Sequence, residues 1–411
     1  MNCLPIFARK NLLLILSLFL LNQSPRILAQ ETKPVNPLTT NFSHELLPKV
    51  DRNLTSFEEN RINEKIIELD TSAKEQIKLD NPDEAFSLWY EAINLSRSLG
   101  VEKELTTITQ VANVAWNRQR SQDISFLQQR LLVIEQENKT TKVNRSGGDN
   151  TPIQQINPEI LPLLIDAYSS LHYLDKLLEI YQQQLAIARE NNEEEDIYTN
   201  LDRLGELYLA KFDYYQAQPT YEELLTIARS NENYLAESNY LQRLAEISQA
   251  LVNPENSVKY KEELAIIYEQ DNQLTTLSRL KIAIGNDYRD LKKAQLASDY
   301  YQQAFTLALS LEQYAIAGDA LKQLGKLYQE YQQFDAALNI YQELIKIESN
   351  SYNYYGLMNT YDFIATIYTL QEDYNSALSY FQRAMTIASQ LQYKEDYFQQ
   401  KIIQLEGLSN N

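Results

Sequence analysis

Apolar residues recur through most of the chain at the spacing of one helical face. In Leu204-Gly205-Glu206-Leu207-Tyr208 the apolar positions are i, i+3 and i+4, which fall together on the surface of an α-helix. Lys211-Phe212-Asp213-Tyr214 is then typical of a turn. Ala217, Tyr221 and Leu224 follow as the apolar face of a second helix. The pattern therefore predicts antiparallel pairs of helices.

This pair of helices repeats along the chain with a constant period, and equivalent positions such as 168 and 208 differ by 40. Tyrosine occupies five of six equivalent positions, which are Tyr168, Tyr208, Ser248, Tyr288, Tyr328 and Tyr368. In the last five units a small residue precedes this position by three: Gly205, Ala245, Gly285, Gly325 and Ala365. Another small residue follows it by nine: Ala217, Ser257, Ala297, Ala337 and Ala377. Larger side chains there would push crossing helices apart, and a single pair cannot bury its own apolar face, so the pairs are expected to stack.

The repeated unit resembles a tetratricopeptide repeat. The resemblance is carried by Leu321, Leu324, Gly325 and Tyr328, followed by Phe334, Ala337, Tyr341 and Leu344. Residues 201–227, 284–307 and 361–387 match nearly as well, 161–187 match in part, and 241–267 match weakly because of Ser248, Ser257 and Lys261. Two degenerate units precede these, around residues 73–92 and 112–131. The resemblance implies an all-α, right-handed superhelical solenoid of antiparallel helix pairs.

The period differs from the roughly 34 residues that are usual in this family. Because the second-helix signature keeps its normal distance from the first, the additional residues are expected between one unit and the next. This arrangement resembles the long-helix repeats of the kinesin light chain type. HEAT repeats have a similar period, but they lack this pattern of small residues and tyrosines.

Composition divides the chain into six predicted segments. They are a signal peptide at 1–29, a flexible tether at 30–60, degenerate repeats at 61–137, a polar linker at 138–155, the main repeats at 156–392, and a capping helix with a short tail at 393–411. The tether contains three prolines among polar residues, and the linker contains Ser146-Gly147-Gly148-Asp149-Asn150. After Pro254 the chain has no proline, which fits packed helices joined by short turns.

The first residues have the pattern of a secretory signal peptide. Arg9 and Lys10 precede the apolar stretch 12–21, and a small-residue cleavage site lies after Ala29. An uncleaved membrane anchor is the alternative, and membrane association is expected only in that case. Cys3 is the only cysteine, so a cleaved chain would have neither disulfides nor cysteine–metal sites. These features favour export to a bacterial periplasm or to the extracellular space.

Charge and composition narrow the classes of partner. The chain has 44% hydrophobic residues and a formal net charge of −19, so nucleic acid is not an expected partner, whereas basic protein segments or cations are. The sequence contains no phosphate-binding loop, dinucleotide fingerprint or catalytic motif, so neither an enzyme nor a cofactor or metal site is expected. His44 and His172 are interpreted as solvated surface residues, and the acidic run Glu193–Asp196 as a solvated linker.

The candidate binding surface is the face that packing does not use. In tetratricopeptide proteins the first helix of each pair lines a concave groove. The resemblance places there Asp202, Arg203, Glu206, Gln242, Arg243, Glu246, Arg279, Asn286, Arg289, Lys322, Lys326 and Gln329. Arg203, Arg243 and Arg279 form a cationic row that would suit a carboxylate or an acidic peptide. Alternatively these arginines pair with neighbours such as Glu206 and Glu246, and the lysine–asparagine pattern of a carboxylate clamp is not matched.

The leading hypothesis is an exported scaffold or assembly factor that holds a partner protein or peptide in the groove. The Gln-, Asn- and Tyr-rich composition resembles exported tetratricopeptide proteins of cyanobacteria. One such group assists photosystem II assembly by binding a reaction-centre subunit tail and manganese, which is a more specific alternative. A structural protein that organises the cell envelope is a second alternative, and an enzyme with a site formed across repeats is a third.

Overall fold

The structure, a computed structural model, describes residues 35–50, 52–143 and 152–409, so the predicted signal peptide lies outside it. The chain divides into two compact units, Met1–Tyr173 and Leu174–Asn411. The described part of unit 1 contains five α-helices: α1 (Ser56–Lys78), α2 (Pro82–Ser96), α3 (Val101–Asn117), α4 (Ser121–Glu137) and α5 (Leu161–Ser170). A short 3₁₀ helix, Arg97–Leu99, joins α2 to α3.

The described part of unit 2 is entirely helical. Its helices are α6 (Leu174–Asn191), α7 (Glu194–Ala210), α8 (Tyr214–Ser230), α9 (Tyr234–Ala250), α10 (Pro254–Gln270), α11 (Leu274–Asp290), α12 (Ala294–Ser310), α13 (Tyr314–Glu330), α14 (Phe334–Asn350), α15 (Tyr354–Leu370), α16 (Tyr374–Leu391) and α17 (Glu395–Ser409). Each helix packs on the next in sequence. This unit confirms the expected all-α repeat solenoid.

The period arises from pairs of helices whose starts are evenly spaced, as in α8, α9 and α10, which begin at Tyr214, Tyr234 and Pro254. From α8 to α15 every helix has 17 residues. Every turn between these helices has three. The additional length of the unit therefore lies in the helices, on either side of the turn between one signature and the next, and that turn is no longer than the turn within a pair.

The turn within a helix pair and the turn between pairs both place their middle residue in the left-handed region of backbone conformation. Examples are Phe212 at φ 57° and Glu232 at φ 52°. Two backbone hydrogen bonds close each such helix end, as in Phe212 N–H to Leu209 O and Asp213 N–H to Tyr208 O. The turn within a pair and the turn between pairs therefore share one geometry.

The small residues of the repeat pattern receive aromatic rings from the second helix of the same pair. A Cβ atom added to Gly285 would lie 2.5 Å from Cε1 of Tyr301, and one added to Gly205 would lie 2.9 Å from Cζ of Tyr221. Gly325 has the same relationship to Tyr341. The predicted role of these small residues at helix crossings is confirmed.

The weak repeat at 241–267 contains a buried polar cluster. Lys261 Nζ lies 2.7 Å from Oδ2 of Asp287, which also accepts a hydrogen bond from Ser257 Oγ at 2.7 Å. Lys261 and Asp287 are both buried. The polar residues that weaken the repeat pattern here therefore satisfy one another between α10 and α11.

Two connecting segments of unit 1 are more ordered than their composition indicates. Residues 36–47, predicted as part of a flexible tether, pack on the helices: Leu38 is fully buried and Asn36 Nδ2 donates to the Phe126 carbonyl at 2.9 Å. The segment predicted as a polar linker contains strands β1 (Lys139–Val143) and β2 (Pro152–Ile156), which pair antiparallel with Lys139 opposite Ile156. Threonine, valine and isoleucine in both stretches favour a strand.

Helix α17 ends the array, as the sequence predicts. Phe398 and Leu405 are buried and join Phe381 of α16 in one apolar cluster. The rest of α17 is largely exposed. Within the described ranges, no helix combines the length and apolar character that crossing a membrane requires.

Candidate functional site

The structure places every predicted groove residue on the first helix of a pair in unit 2. Asp202, Arg203 and Glu206 lie on α7, Gln242, Arg243 and Glu246 on α9, Arg279, Asn286 and Arg289 on α11, and Lys322, Lys326 and Gln329 on α13. Three of them, Asn286, Arg289 and Gln329, form hydrogen bonds with neighbouring helices. Asn286 accepts a hydrogen bond from the Tyr301 hydroxyl at 2.8 Å, and Gln329 accepts one from the Tyr341 hydroxyl at 3.2 Å.

The arginines of the predicted cationic row have local partners. Arg203 Nη1 lies 3.2 Å from Glu206 Oε2, and Arg243 Nη1 lies 3.1 Å from Glu246 Oε2. Both arginine side chains are 54% exposed, so each pair is a surface ion pair within one helix. Arg279 is exposed as well. Two of the three arginines, Arg203 and Arg243, therefore form local ion pairs. Such pairing was the alternative to a free cationic row.

A cleft with a volume of about 730 Å³ lies between α7 and α9. The cleft brings together four predicted residues with three tyrosines, and its main lining residues are Tyr198, Asp202, Glu206, Tyr221, Tyr240 and Arg243. The Tyr240 hydroxyl donates to the Tyr198 hydroxyl at 2.6 Å and contacts Asp202 Oδ1 at 3.4 Å. The rings of Tyr198 and Tyr240 meet edge to face, with centroids 6.4 Å apart. Asp202 thus lies at the centre of an aromatic-lined pocket.

Burial governs the ionisation of this cleft. Desolvation raises the pKa of the Asp202 carboxyl, and the nearby negative charge of Glu206 adds to the effect. Arg203 and the Tyr240 hydroxyl act in the opposite direction. Burial also raises the pKa of the Tyr221 hydroxyl to about 12. The tyrosine hydroxyls are therefore neutral hydrogen-bond donors. The carboxylate of Asp202 is a charged group that burial partly removes from water.

A second cleft of about 710 Å³ lies between α13 and α15. Its lining includes the predicted residues Lys326 and Gln329 together with Phe334 and Phe363. Lys326 Nζ lies 5.3 Å from the centroid of the Phe363 ring, which is cation–π geometry. The first-helix face therefore carries clefts of different chemistry at different units.

Two of the three tyrosines of the first cleft, Tyr198 and Tyr240, were not predicted from the sequence. Tyr198 and Tyr240 lie outside the repeat pattern, and they are 42 residues apart in the chain. Their side chains meet because α7 and α9 are neighbouring first helices. The only sequence signal was that each tyrosine occupies a position where the other units have different residues.

His44 differs from its interpretation as a solvated residue, whereas His172 and the acidic run are exposed, as interpreted. His44 is half-buried, with Nε2 3.3 Å from Glu91 Oε1, and His172 stacks on Trp116 with ring centroids 4.0 Å apart. Three residues of the acidic run form the first turn of α7, where negative charge interacts favourably with the helix dipole. In the part of the chain that the structure describes, histidine, cysteine and carboxylate side chains form no cluster of three that could hold a metal ion.

Two segments of unit 2 match known repeat models. Residues 198–231, which span α7 and α8, and residues 360–394, which span α15 and α16, each match a tetratricopeptide repeat. The chain carries tetratricopeptide repeats. Asp202 and Tyr221 lie within the first matched repeat, so the cleft is built on a recognised repeat unit. No curated protein is significantly similar to the sequence.

Several solved structures are similar to parts of the tetratricopeptide array. Aspartyl phosphate phosphatase F from Bacillus subtilis is 15% identical over 73% of this chain and 79% of its own, with a TM-score of 0.42. BtubC (BKLC) from P. vanneervenii is 17% identical over 53% and 92%, with a TM-score of 0.38. A putative kinesin light chain from Podosopora anserina is 14% identical over 47% and 96%, with a TM-score of 0.37. These values are too low to transfer a function.

Proposed function

We propose that the protein is a scaffold whose first-helix face holds a peptide segment of a partner protein. The observation that carries the proposal is the cleft between α7 and α9. Its residues Tyr198 and Tyr240 occupy positions where the other units carry different residues, and with Asp202 they gather hydrogen-bonding and aromatic groups in one open pocket. Concave sites with a few convergent polar groups are the usual form of binding sites.

The test is capture of a partner by the full chain, immobilised through its C-terminus, from an envelope fraction of the source cells. Asn239→Trp places a bulky neutral side chain in the cleft, where Asn239 is exposed. Asn339→Trp makes the same change at an exposed position of α14, a second helix, and serves as the control. We expect a specific protein to be retained by the wild type and by the control, and to be lost with Asn239→Trp.

Two outcomes contradict this proposal in different ways. Equal retention by all three proteins would move the binding surface away from the cleft. Retention of no protein at all would favour the alternative of a structural, envelope-organising role.

We place this function outside the cytoplasm. The support is the pattern of Arg9, Lys10, the apolar stretch 12–21 and Ala29, which is typical of an exported protein. N-terminal sequencing of the protein from cells measures this directly. A start near Gln30 is the expected result, and an intact Met1 in the membrane pellet contradicts cleavage.

A further inference from the structure

The repeat allows one helix position to be compared between units of the array. The position of Asp202 recurs once in each following unit, as Gln242, Ile282, Lys322 and Asp362. A carboxylate is therefore found at two of these five positions, and packing does not require it. Asp202 and Asp362 also share an environment, since burial raises the pKa of both carboxyls.

At Asp362 the chain supplies its own partners through α17. The Tyr397 hydroxyl donates to Asp362 Oδ1 at 3.1 Å. Lys394 Nζ and Lys401 Nζ lie 5.8 Å and 5.7 Å from the centroid of the Tyr397 ring, and both charges lower the pKa of Asp362. A tyrosine and two cations thus compensate the partial burial of this carboxylate.

At Asp202 the tyrosine is present, but the one nearby cation that acts on the carboxyl, Arg203, is engaged in an ion pair with Glu206. The Tyr240 hydroxyl takes the place of the Tyr397 hydroxyl, at 3.4 Å. Within the described ranges, no lysine or arginine forms an ion pair with Asp202, because the adjacent Arg203 pairs with Glu206. The cleft beside Asp202 is open to solvent, whereas α17 packs over the equivalent region of the last unit.

We infer that the cleft beside Asp202 receives a lysine or arginine side chain from a basic segment of the partner protein, a statement that rests on the proposed scaffold function. An incoming ammonium or guanidinium group would complete the arrangement that Lys394 and Lys401 provide at Asp362. Tyrosine faces attract cations, and the net charge of −19 draws basic segments towards the array. This partner has the opposite charge to the acidic peptide that the row of arginines predicts.

The experiment measures binding of a fluorescein-labelled peptide of alternating lysine and glycine to the full chain, with a glutamate–glycine peptide as the comparison probe. Three variants each change the net charge by +1. Asp202→Asn removes the carboxylate, and Asn239→Lys introduces a cation into the cleft in imitation of Lys394. Glu343→Gln is the matched control, because Glu343 is a partly exposed residue of α14 in a surface ion pair with Lys346, outside the cleft.

We expect the lysine peptide to bind the wild type, and both cleft variants to weaken it by roughly tenfold or more, the scale of a charge-assisted hydrogen bond. The control should stay within about twofold, since one exposed charge contributes little. Equal weakening by all three variants would show that the acidic surface as a whole binds the peptide, and would overturn the inference. The inference would also be overturned if the protein preferred the glutamate peptide, or if it did not bind the lysine peptide. Any of these three outcomes rejects the basic segment as the occupant of the cleft. The scaffold function is still supported in that case if Asn239→Trp abolishes capture of a partner.

Discussion

Gly325 illustrates how single residues set the spacing of the helices in this protein. A Cβ atom at this position would collide with the Tyr341 ring, which is fully buried and has no room to move. We expect Gly325→Leu to lower the free energy of unfolding by about 2–4 kcal/mol, because overpacking at a helix crossing forces the backbone apart. Ala297→Leu should act similarly, as Ala297 is also fully buried. Chemical denaturation followed by circular dichroism measures both changes.

The control for this prediction is Gly407, a glycine of α17. A Cβ atom added there meets no heavy atom within 4 Å. Gly407→Ala should therefore be neutral or slightly stabilising, since alanine favours a helix by roughly 0.8–1 kcal/mol over glycine. A Gly325→Leu protein as stable as the wild type would mean that the small positions do not set the helix spacing.

The turns between helices show how the elements are joined without glycine. Val252 is the middle residue of one such turn, with φ 54°, and its side chain is 85% exposed. A β-branched residue is strained in this region, and glycine is not. We expect Val252→Gly to raise the free energy of unfolding by roughly 0.5–1 kcal/mol, because the relief of strain exceeds the added flexibility of the unfolded chain.

Asn272 provides a matched control for the turn prediction. It has φ 56° at the equivalent position of the next turn, and asparagine adopts this conformation with little strain. Asn272→Gly should change the unfolding free energy by a few tenths of a kcal/mol at most. Destabilisation by Val252→Gly in the same denaturation series would show that the turn stores no strain.

The elements themselves were largely predictable, because packing repeats faithfully from unit to unit. The place of Gly205 at a helix crossing could be inferred from the recurrence of small residues at its position. The lengths of helices and turns could not, since Tyr234 and Leu235 at the start of α9 are exposed and carry no apolar pattern. The strands of unit 1 and the packing of Leu38 depend on contacts that are distant in sequence, so local patterns did not reveal them.

The stability of the whole molecule should depend on pH through three carboxyls. Burial raises the pKa of Asp202, Glu348 and Asp362 above their ordinary values. The folded state therefore binds protons more tightly than the unfolded state at these sites, and stability is lost as pH rises through the folded pKa values. Self-repulsion of the acidic chain acts in the same direction. We expect a higher free energy of unfolding at about pH 5 than at pH 7.

Carboxyls with a lowered pKa act at more acid pH and do not offset this trend. The pKa of Glu58 is lowered to about 2, mainly by its hydrogen bond with Arg52, so its contribution is present above the ordinary carboxyl pKa and is lost as the pH falls from there towards 2. Glu348→Gln should raise stability at pH 7 and reduce the pH dependence, whereas Glu343→Gln, at a partly exposed site in a surface ion pair, should change either by a few tenths of a kcal/mol at most. Denaturation at the two pH values would contradict the prediction if both variants behaved alike.

The candidate site was only half visible in the sequence. Asp202, Glu206, Gln242 and Arg243 were placed on the first-helix face by resemblance, and all four line one cleft. Tyr198 and Tyr240 were missed because their positions carry different residues in the other units, so no repeated pattern points to them. The face was therefore predictable, and the chemistry of the pocket was not.

The uniform spacing of helix starts has a consequence for how such a protein changes over generations. Any segment cut at two equivalent turns, such as 273–312, begins and ends with the same backbone geometry. Its loss or duplication would join two helices through a turn that the chain already uses. Recombination between repeats in the gene could therefore add, remove or reorder whole pockets while each surviving junction keeps its fold. The number of clefts on the first-helix face can therefore change by recombination without changing the packing within any one unit.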